Sequence, residues 1–341
     1  MREIAWPEKT LADAAPRLDV LLRSLQQDAS SLGIAVSRLP GFPLLIDCGV
    51  DMPGSWEAGR RLVEICHGGM AHAWIDTTEI AGWVLPRIVV DSWLPARSAL
   101  GLQLSLPLSE ISDAIRVSGP IRAAFAAPSA GKRPLPLGWR TAVIESEQRP
   151  SLRVARAVAA RAGLAVDDLV LIIVPPAGPT GSAQIAGRGN ESVLFTLQES
   201  LGIDAACVSH IVGSVPIAPD FDPQEHGTKP RLLPDDFVHY AGQATMSLHV
   251  PSELRVSEIA KRLVFRSCEH HGRLFGDLLA AAGGVFEAIP DLVNLNKIAQ
   301  ITVNDESTGV VARAGRIDSQ ILLQAWDAGS SSVQGGSNHG F

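Results

Sequence analysis

The chain has 341 residues, 46% of them hydrophobic and 19% charged, so it can bury a sizeable core and is not a disordered chain. At roughly 150 residues per domain, this length predicts about two domains or one large α/β body. The net charge of −7 argues against nucleic acid as a partner, because such binding depends on neutralising phosphates.

Other classes are excluded by pattern. No apolar run approaches the ~18 residues that a membrane span requires, and the N-terminal residues lack the apolar region of a secretion signal. The four cysteines (Cys48, Cys66, Cys207 and Cys268) form no CxxC pair, so neither a disulfide framework nor a zinc site is predicted. We therefore expect a cytoplasmic protein with no membrane or nucleic-acid partner and no metal.

The N-terminal part reads as mixed helix and strand. Residues 11–25 carry leucines at spacings of three and four, which predicts an amphipathic helix. An apolar run at 43–50 predicts a buried strand, and residues 56–66 predict a helix with Ser55 as its N-cap. Further strands are expected at 71–75 and 88–90.

A Pro/Gly-rich stretch at 126–138 predicts a linker or long loop. It precedes a β-α-β pattern with strands at 141–144 and 169–174 and a helix at 151–162. Continuous apolar strands that alternate with helices indicate an α/β sheet covered on both faces. We therefore predict a first α/β domain at 1–125 and a second at 139–328, whose segments can interleave.

The remaining elements are a helix at 192–201, strands at 207–212 and within 237–250, a helix at 252–265, and a hairpin over 298–314 with Asn, Asp and Gly in its turn. The final residues, 329–341, are rich in Gly, Ser and Asn and are predicted to be a disordered tail.

Two loops are candidate ligand sites. Residues 175–182 follow the strongest predicted strand, and ligands of open α/β sheets bind beyond the carboxyl ends of the strands. Residues 118–122 either open a helix whose free N–H groups and Arg122 face an anion, or form an ordinary turn with Pro120 at the first helical position.

Arg188 and Glu191 are the candidate pair for acid–base chemistry. On a helix they share a face, and a carboxylate balanced between burial and a guanidinium can take and return a proton. The alternatives are an exposed ion pair of little consequence, or a helix capped by Asn190 that leaves Arg188 on the preceding loop. The pair Asp235-Asp236 is expected to be solvated.

Several segments, taken in order, resemble the methenyltetrahydromethanopterin cyclohydrolases. Each segment is weak alone, but their order and spacing indicate homology over about residues 11–326. The segments are IDCG at 46–49, GSWEAGRRLVEICHGG at 54–69, SGPIRA at 118–123, GSAQIAGR at 181–188 followed by Glu191, GSVPIAP at 213–219 and VNDESTG at 303–309.

The resemblance implies a cyclohydrolase-type fold of two α/β domains with a ligand cleft between them, and a homotrimer. It also implies reversible hydrolysis of the N5,N10-methenyl bridge of a tetrahydromethanopterin-type one-carbon carrier to the formyl form, without a cofactor. Glu191 would be the general base and acid, and Arg188 would position it and tune its pKa. The residues implied to bind substrate are Glu57, Ser118, Gly119, Pro120, Arg122, Gly181, Ser182 and Gln184.

The sequence departs from the family pattern at several places expected to frame the cleft. Gly189 and Asn190 replace apolar residues, the stretch before Gly181 is one residue short, and segments 227–230 and 271–275 differ. With one Tyr and few Phe near the proposed loops, little aromatic surface is expected for stacking on a pterin. The alternative function is therefore a non-hydrolytic paralogue that binds a pterin or folate-like ligand as a carrier or assembly partner.

Overall fold

A computed structural model describes residues 6–126, 135–219, 233–249 and 254–331. The strands in chain order are β1 (Ala35–Arg38), β2 (Leu44–Asp47), β3 (Ala71–Ile80), β4 (Trp83–Ser92), β5 (Leu106–Leu108), β6 (Ser112–Ser118), β7 (Thr141–Glu145), β8 (Val170–Val174), β9 (Val208–Pro216), β10 (Gln243–Leu248), β11 (Gln300–Asp305) and β12 (Val311–Gly315).

The helices are α1 (Glu8–Gln27), α2 (Trp56–Cys66), α3 (Arg122–Phe125), α4 (Leu152–Arg161), α5 (Pro179–Ala186), α6 (Gly189–Phe195), α7 (Pro234–Ala241), α8 (Val256–Leu263), α9 (Phe275–Ala281), α10 (Leu292–Leu295) and α11 (Ser319–Ser331). The described residues also include two π-helical segments, Ala96–Gln103 and Thr196–Ser200.

The strands form two six-stranded mixed sheets, which confirms the α/β class. The first has the order β1-β2-β8-β7-β6-β5, and the second has the order β12-β11-β10-β9-β4-β3. In the first sheet β2, β8 and β7 are parallel, so their carboxyl ends lie at one edge. Strands β3 and β4 precede the predicted linker yet belong to the second sheet, while β7 and β8 follow it yet belong to the first. The predicted domain boundaries stay a prediction.

Helix α2 forms where its cap and apolar spacing predict. The Ser55 hydroxyl accepts a hydrogen bond from Ala58 N at 3.1 Å, and the buried side of the helix carries Leu62 and Ile65. At Gly59 the helix crosses α5 so closely that a Cβ would lie 2.5 Å from the Thr180 carbonyl oxygen. This close crossing fixes α5, and with it the start of α6.

The prediction of strand across 237–250 is wrong in its first part, because residues up to Ala241 belong to helix α7. Pro234 stands at the start of this helix, and the Asp236 carboxylate accepts the Leu233 N–H at 2.9 Å, which closes the first turn. Nearly all residues of this helix are buried, the polar Asp236 and His239 included, so it lacks the solvent-exposed face of an ordinary amphipathic helix. Strand structure begins at Gln243.

The hairpin predicted over 298–314 is confirmed by β11 and β12, which pair antiparallel. Of the predicted linker, residues 127–134 lie outside the described residues, and Leu137–Arg140 forms a 3₁₀ turn whose Gly138 N–H donates to Asp19 of α1 at 2.7 Å. Helix α11 continues to Ser331, three residues into the predicted tail; residues 332–341 lie outside the described residues.

Candidate active site

A cavity of about 360 Å³ contains both residues of the predicted catalytic pair. Its wall combines five charged side chains with aromatic and aliphatic ones from strands of the first sheet and from helices. The charged residues are Arg116, Glu145, Arg188, Glu191 and Asp235. Such a mixture of apolar surface and a few convergent polar groups is typical of small-molecule sites.

Arg188 and Glu191 form a two-pronged ion pair. Arg188 is the residue before the first of helix α6, and it donates from Nε to Glu191 Oε2 at 3.0 Å and from Nη2 to Oε1 at 2.9 Å. Glu191 is only 5% exposed, so the interpretation as a solvated surface pair is wrong. The planar guanidinium fixes the plane of the carboxylate, which a single contact would not do.

Glu145 is a third member of this group. It is the last residue of β7, and its Oε1 accepts a hydrogen bond from Arg188 Nη1. One guanidinium therefore bridges two carboxylates. Sequence reasoning missed Glu145 because it lies 43 positions from Arg188. Its place at the carboxyl end of a strand beside β8 is a signal that could have identified it.

Burial and the ion pair act in opposite directions on the pKa of Arg188 and on that of Glu191. Burial raises the pKa of Glu191 above its ordinary value, although Arg188 acts to lower it and Glu145 adds to the rise. Burial alone would lower the pKa of Arg188, but Glu191 and Glu145 outweigh it and raise that pKa. Arg188 therefore stays charged, while Glu191 is a carboxylate whose proton affinity is increased, as a general base requires.

The two residues between the pair explain one departure from the family pattern. Asn190 is buried, and its Nδ2 donates to the Val90 carbonyl at 3.1 Å and to Ser92 Oγ at 3.2 Å, both on β4. A Cβ on Gly189 would lie 3.0 Å from Val215 Cγ2 of β9. These residues therefore hold the start of α6 against the second sheet, and so hold Glu191 in place.

The adjacent residues Asp235 and Asp236 of α7 have different surroundings. Asp236 is fully buried and accepts the Phe275 N–H at 2.7 Å, so the prediction that it is solvated is wrong. Burial raises its pKa to about 7. Asp235 is partly exposed and lines the cavity. His239, one turn further along α7, also lines the cavity; its ring stacks on Phe265, and burial lowers its pKa to about 3.

Four of the predicted substrate-binding residues are buried between the end of β6 and the start of α3, and they are not among the cavity's lining residues: Ser118, Gly119, Pro120 and Arg122. Arg122 donates from Nη1 to the main-chain carbonyls of Leu100 and Leu104, and Gly119 N–H donates to Leu102 O at 2.9 Å. They support the π-helical segment whose following residue, Leu104, lines the cavity. Arg116, two residues before Ser118, reaches the lining instead.

The other four predicted substrate-binding residues lie on α5 and α2. Gly181 is a packing position, since a Cβ there would lie 1.9 Å from the Pro175 carbonyl oxygen. Ser182 and Gln184 are buried in α5, whose next residue, Ile185, lines the cavity. Glu57 lies in the first turn of α2, outside the lining, and pairs with Arg60 at 2.7 Å and Arg61 at 2.8 Å.

The expectation of little aromatic surface is wrong for this cavity. Phe195, Phe275 and Phe286 all line it, and the Arg116 guanidinium lies 5.7 Å from the centre of the Phe286 ring. Phe275 and Phe286 were missed because they come from α9 and a 3₁₀ turn far along the chain from the predicted loops. Phe195 is only four residues from Glu191, and its position at the end of α6 was a signal that the sequence offered.

Within the described ranges, the structure contains no group of three or more His, Cys, Asp or Glu side chains arranged to hold a metal ion. In the same ranges no helix is long and apolar enough to cross a membrane.

The fold and the site together define a mixed α/β protein whose cavity holds a buried carboxylate–guanidinium pair of a kind that can carry out acid–base chemistry. A family model described as Cyclohydrolase (MCH) matches residues 18–326, and the chain belongs to this cyclohydrolase family. This confirms the resemblance seen in the sequence and the interpretation of the chain as a cyclohydrolase-like enzyme.

Two relatives illustrate the similarity. A "Methenyltetrahydromethanopterin cyclohydrolase" of Xanthobacter autotrophicus is 30% identical over 331 residues, which cover 93% of this chain and 95% of the relative. A protein of the same name from Methanocaldococcus jannaschii is 28% identical over 323 residues, covering 89% of this chain and 95% of the relative.

Proposed function

We propose that the protein hydrolyses the N5,N10-methenyl bridge of a tetrahydromethanopterin-type pterin to the formyl form, reversibly. The observation that carries the proposal is the buried two-pronged pair of Arg188 and Glu191 inside the cavity. The names of the bacterial and archaeal relatives support the same reaction, and we propose one-carbon metabolism as its setting.

The charge of the cavity suits a cationic substrate. Three carboxylates, Glu145, Glu191 and Asp235, face the cavity beside Arg188. The other lining cation, Arg116, is already paired with Glu287. Carboxylates therefore outnumber the cations left to neutralise them, and a delocalised amidinium is favoured over an anionic group at this point.

The hydrolysis of an amidinium requires a general base and a general acid. The bridge carbon of an amidinium is electrophilic, so a water placed beside it attacks once a base removes a proton. In our proposal Glu191 takes that proton and later gives it to the departing nitrogen. Arg188 holds the carboxylate in one orientation and keeps a positive charge beside its ionised form. The chain's own side chains supply both groups, so we propose a reaction without a cofactor.

We also propose where the carrier lies. The rings of Phe195, Phe275 and Phe286 give flat apolar surface for a pterin or its neighbouring ring. Arg122, Gly181 and the other predicted substrate-binding residues between the end of β6 and the start of α3 and on α5 lie outside the cavity lining, and we propose that they support the residues that form it. A substrate contact for Glu57 rests on the family motif alone.

A turnover assay tests the proposal. The absorbance of methenyl-tetrahydromethanopterin is followed beside that of methenyl-tetrahydrofolate, each with and without the protein. We expect the protein to accelerate loss of the first far more than loss of the second. Acceleration of neither substrate would contradict the proposed reaction, and acceleration of the folate alone would contradict the proposed carrier. The comparisons do not support the alternative of a non-hydrolytic binder, and the intact acid–base pair favours hydrolysis.

We propose a homo-oligomer, a trimer by family resemblance, in the cytoplasm. Strand β3 is an edge of the second sheet, and the hairpin it forms with β4 exposes Trp74, Trp83 and Val84, which are 44%, 51% and 70% exposed. An apolar edge of this kind is typical of a surface that another subunit covers. Sedimentation of the wild type and of Trp83→Asp tests this, with a shift of the variant to monomer as the expected result.

A further inference from the structure

Within the part of the chain that the structure describes, the carboxylate of Asp235 has no partner, unlike Glu145 and Glu191 of the same cavity and the adjacent Asp236. Glu145 and Glu191 are both held by Arg188, and Asp236 accepts main-chain N–H groups. Among the described residues no cation pairs with Asp235, and no other residue donates a hydrogen bond to its side chain. A carboxylate without a partner at the wall of a cavity is free to bind a substrate group.

The position of Asp235 is nevertheless fixed. It is the second residue of α7, between Pro234 and the buried Asp236. The Asp236 side chain holds the Leu233 and Phe275 N–H groups, at 2.9 and 2.7 Å, so it joins the start of α7 to the start of α9. A free carboxylate on a rigid main chain is a suitable arrangement for a group that acts on substrate.

The proposed reaction releases one net proton, which needs a route to solvent. Water attack converts the amidinium to a neutral carbinol, with one water proton passing to Glu191. Breaking the carbon–nitrogen bond then needs a proton at the nitrogen, which Glu191 returns. The electron pair left by the carbinol O–H bond forms the formyl C=O, so the hydroxyl proton must leave. The net reaction releases this one proton, and Glu191, which is only 5% exposed, is poorly placed to pass it to solvent.

We propose that Asp235 accepts the proton of the carbinol hydroxyl and passes it to solvent. The proposal rests on the proposed function and adds a second acid–base group to it. Asp235 lines the same cavity as Glu191 but is partly exposed, so unlike the buried Glu191 it can exchange its proton with water. In the reverse direction the protonated Asp235 returns the proton to the formyl oxygen.

The groups around Asp235 suit this role. Facing the cavity are Glu145 from β7, Arg188 and Glu191 at α6, His239 from α7, and Arg116 from β6, which is neutralised by Glu287. Burial raises the pKa of Asp235 to about 6, with Arg188 opposing the rise and Glu145 and Glu191 adding to it. His239 stays neutral because of its low pKa. Asp235 therefore gains and loses a proton near neutral pH.

The test compares Asp235→Asn with the wild type, with Asp235→Glu as the conservative variant. Asp167→Asn removes an exposed carboxylate from the 3₁₀ turn Val166–Asp168 and serves as the control. Initial rates of methenyl-tetrahydromethanopterin hydrolysis are measured from pH 5 to 9, and kcat and KM are separated. We expect Asp235→Asn to lower kcat about a hundredfold or more, with partial recovery in Asp235→Glu and no change in the control.

The pH profile distinguishes a proton carrier from a charge that merely attracts the substrate. Hydrolysis needs both Glu191 and Asp235 ionised. On the acidic limb, the rate of the wild type should therefore fall with the protonation of two groups, and the rate of Asp235→Asn with the protonation of one. A variant with unchanged kcat and acidic limb, whether or not its KM rises, would overturn the role of Asp235 alone. Absence of turnover in the wild type would instead overturn the proposed function, and the role of Asp235 with it.

Discussion

Replacing Arg188 by methionine removes the group that bridges Glu145 and Glu191. Three charge-assisted hydrogen bonds are lost, and Glu191 is left buried without a partner. Breaking a buried pair in this way costs about 3–5 kcal/mol of stability. Because Arg188 acts to lower the pKa of Glu191, its removal raises that pKa further. Glu191 must be ionised to act as a base, so the acidic limb of the rate profile moves to higher pH.

Two measurements follow the Arg188→Met variant. Urea unfolding gives the change in the free energy of unfolding, and methenyl absorbance gives the rate from pH 5 to 9. We expect a kcat loss of about a hundredfold or more at pH 7, since a positioned base contributes roughly 10²–10⁴-fold. Lys261→Met breaks another i, i+3 pair, with Glu258, whose side chains are 66% and 60% exposed. That control should cost no more than about 0.5 kcal/mol.

Two results would contradict the role given to Arg188: an Arg188→Met variant that unfolds within about 1 kcal/mol of the wild type, and one whose rate profile keeps the wild-type acidic limb. The first result would mean that the ion pair is not buried as the structure places it. The second would mean that Arg188 does not influence the ionisation of the catalytic base.

Three further predictions concern Glu145, Gly181 and Asp235. Glu145→Gln removes a charge that raises the pKa of Glu191, so the acidic limb of this variant's rate profile should move to lower pH, opposite to that of Arg188→Met. A shift to higher pH would contradict the placement of Glu145 beside Glu191. Gly181→Ala places a Cβ 1.9 Å from the Pro175 carbonyl oxygen and should lose about 1–3 kcal/mol in urea unfolding; unchanged stability would show that the loop yields freely. The pKa of Asp235 is raised from 3.8 to about 6 in the folded state, so its protonation contributes stability below pH 3.8 that is lost as the pH rises to 6. The stability of the wild type relative to Asp235→Asn should therefore fall between pH 4 and 6, and a parallel pair of curves would be inconsistent with the raised pKa.

Features encoded by neighbouring residues were predictable from the sequence. Helix α2 follows from Ser55 and its apolar spacing, and the hairpin of β11 and β12 follows from the residues of its turn. The contact of Arg188 with Glu191 is likewise local, because three positions separate the two residues. The ordered motifs added the fold and the family, which no single segment specified.

Features created by tertiary packing were not predictable in this way. Glu145 reaches Arg188 only because β7 lies beside β8 in the first sheet. Asp235 and His239 reach the cavity because α7 is a helix, whereas its buried apolar run resembles a strand. The three phenylalanines of the cavity come from separate elements, so no window of sequence brings them together.

The rate of methenyl-tetrahydromethanopterin hydrolysis by the wild type and by Glu191→Gln tests the central claim most directly. Glutamine keeps the size of the side chain and an oxygen for Arg188, but it cannot accept the proton of water at neutral pH. We predict that the wild type removes the methenyl absorbance and that Glu191→Gln, folded as judged by circular dichroism, is slower by roughly 10²–10⁴-fold. A Glu191→Gln variant that turns over at the wild-type rate would contradict the assignment of Glu191 as the general base.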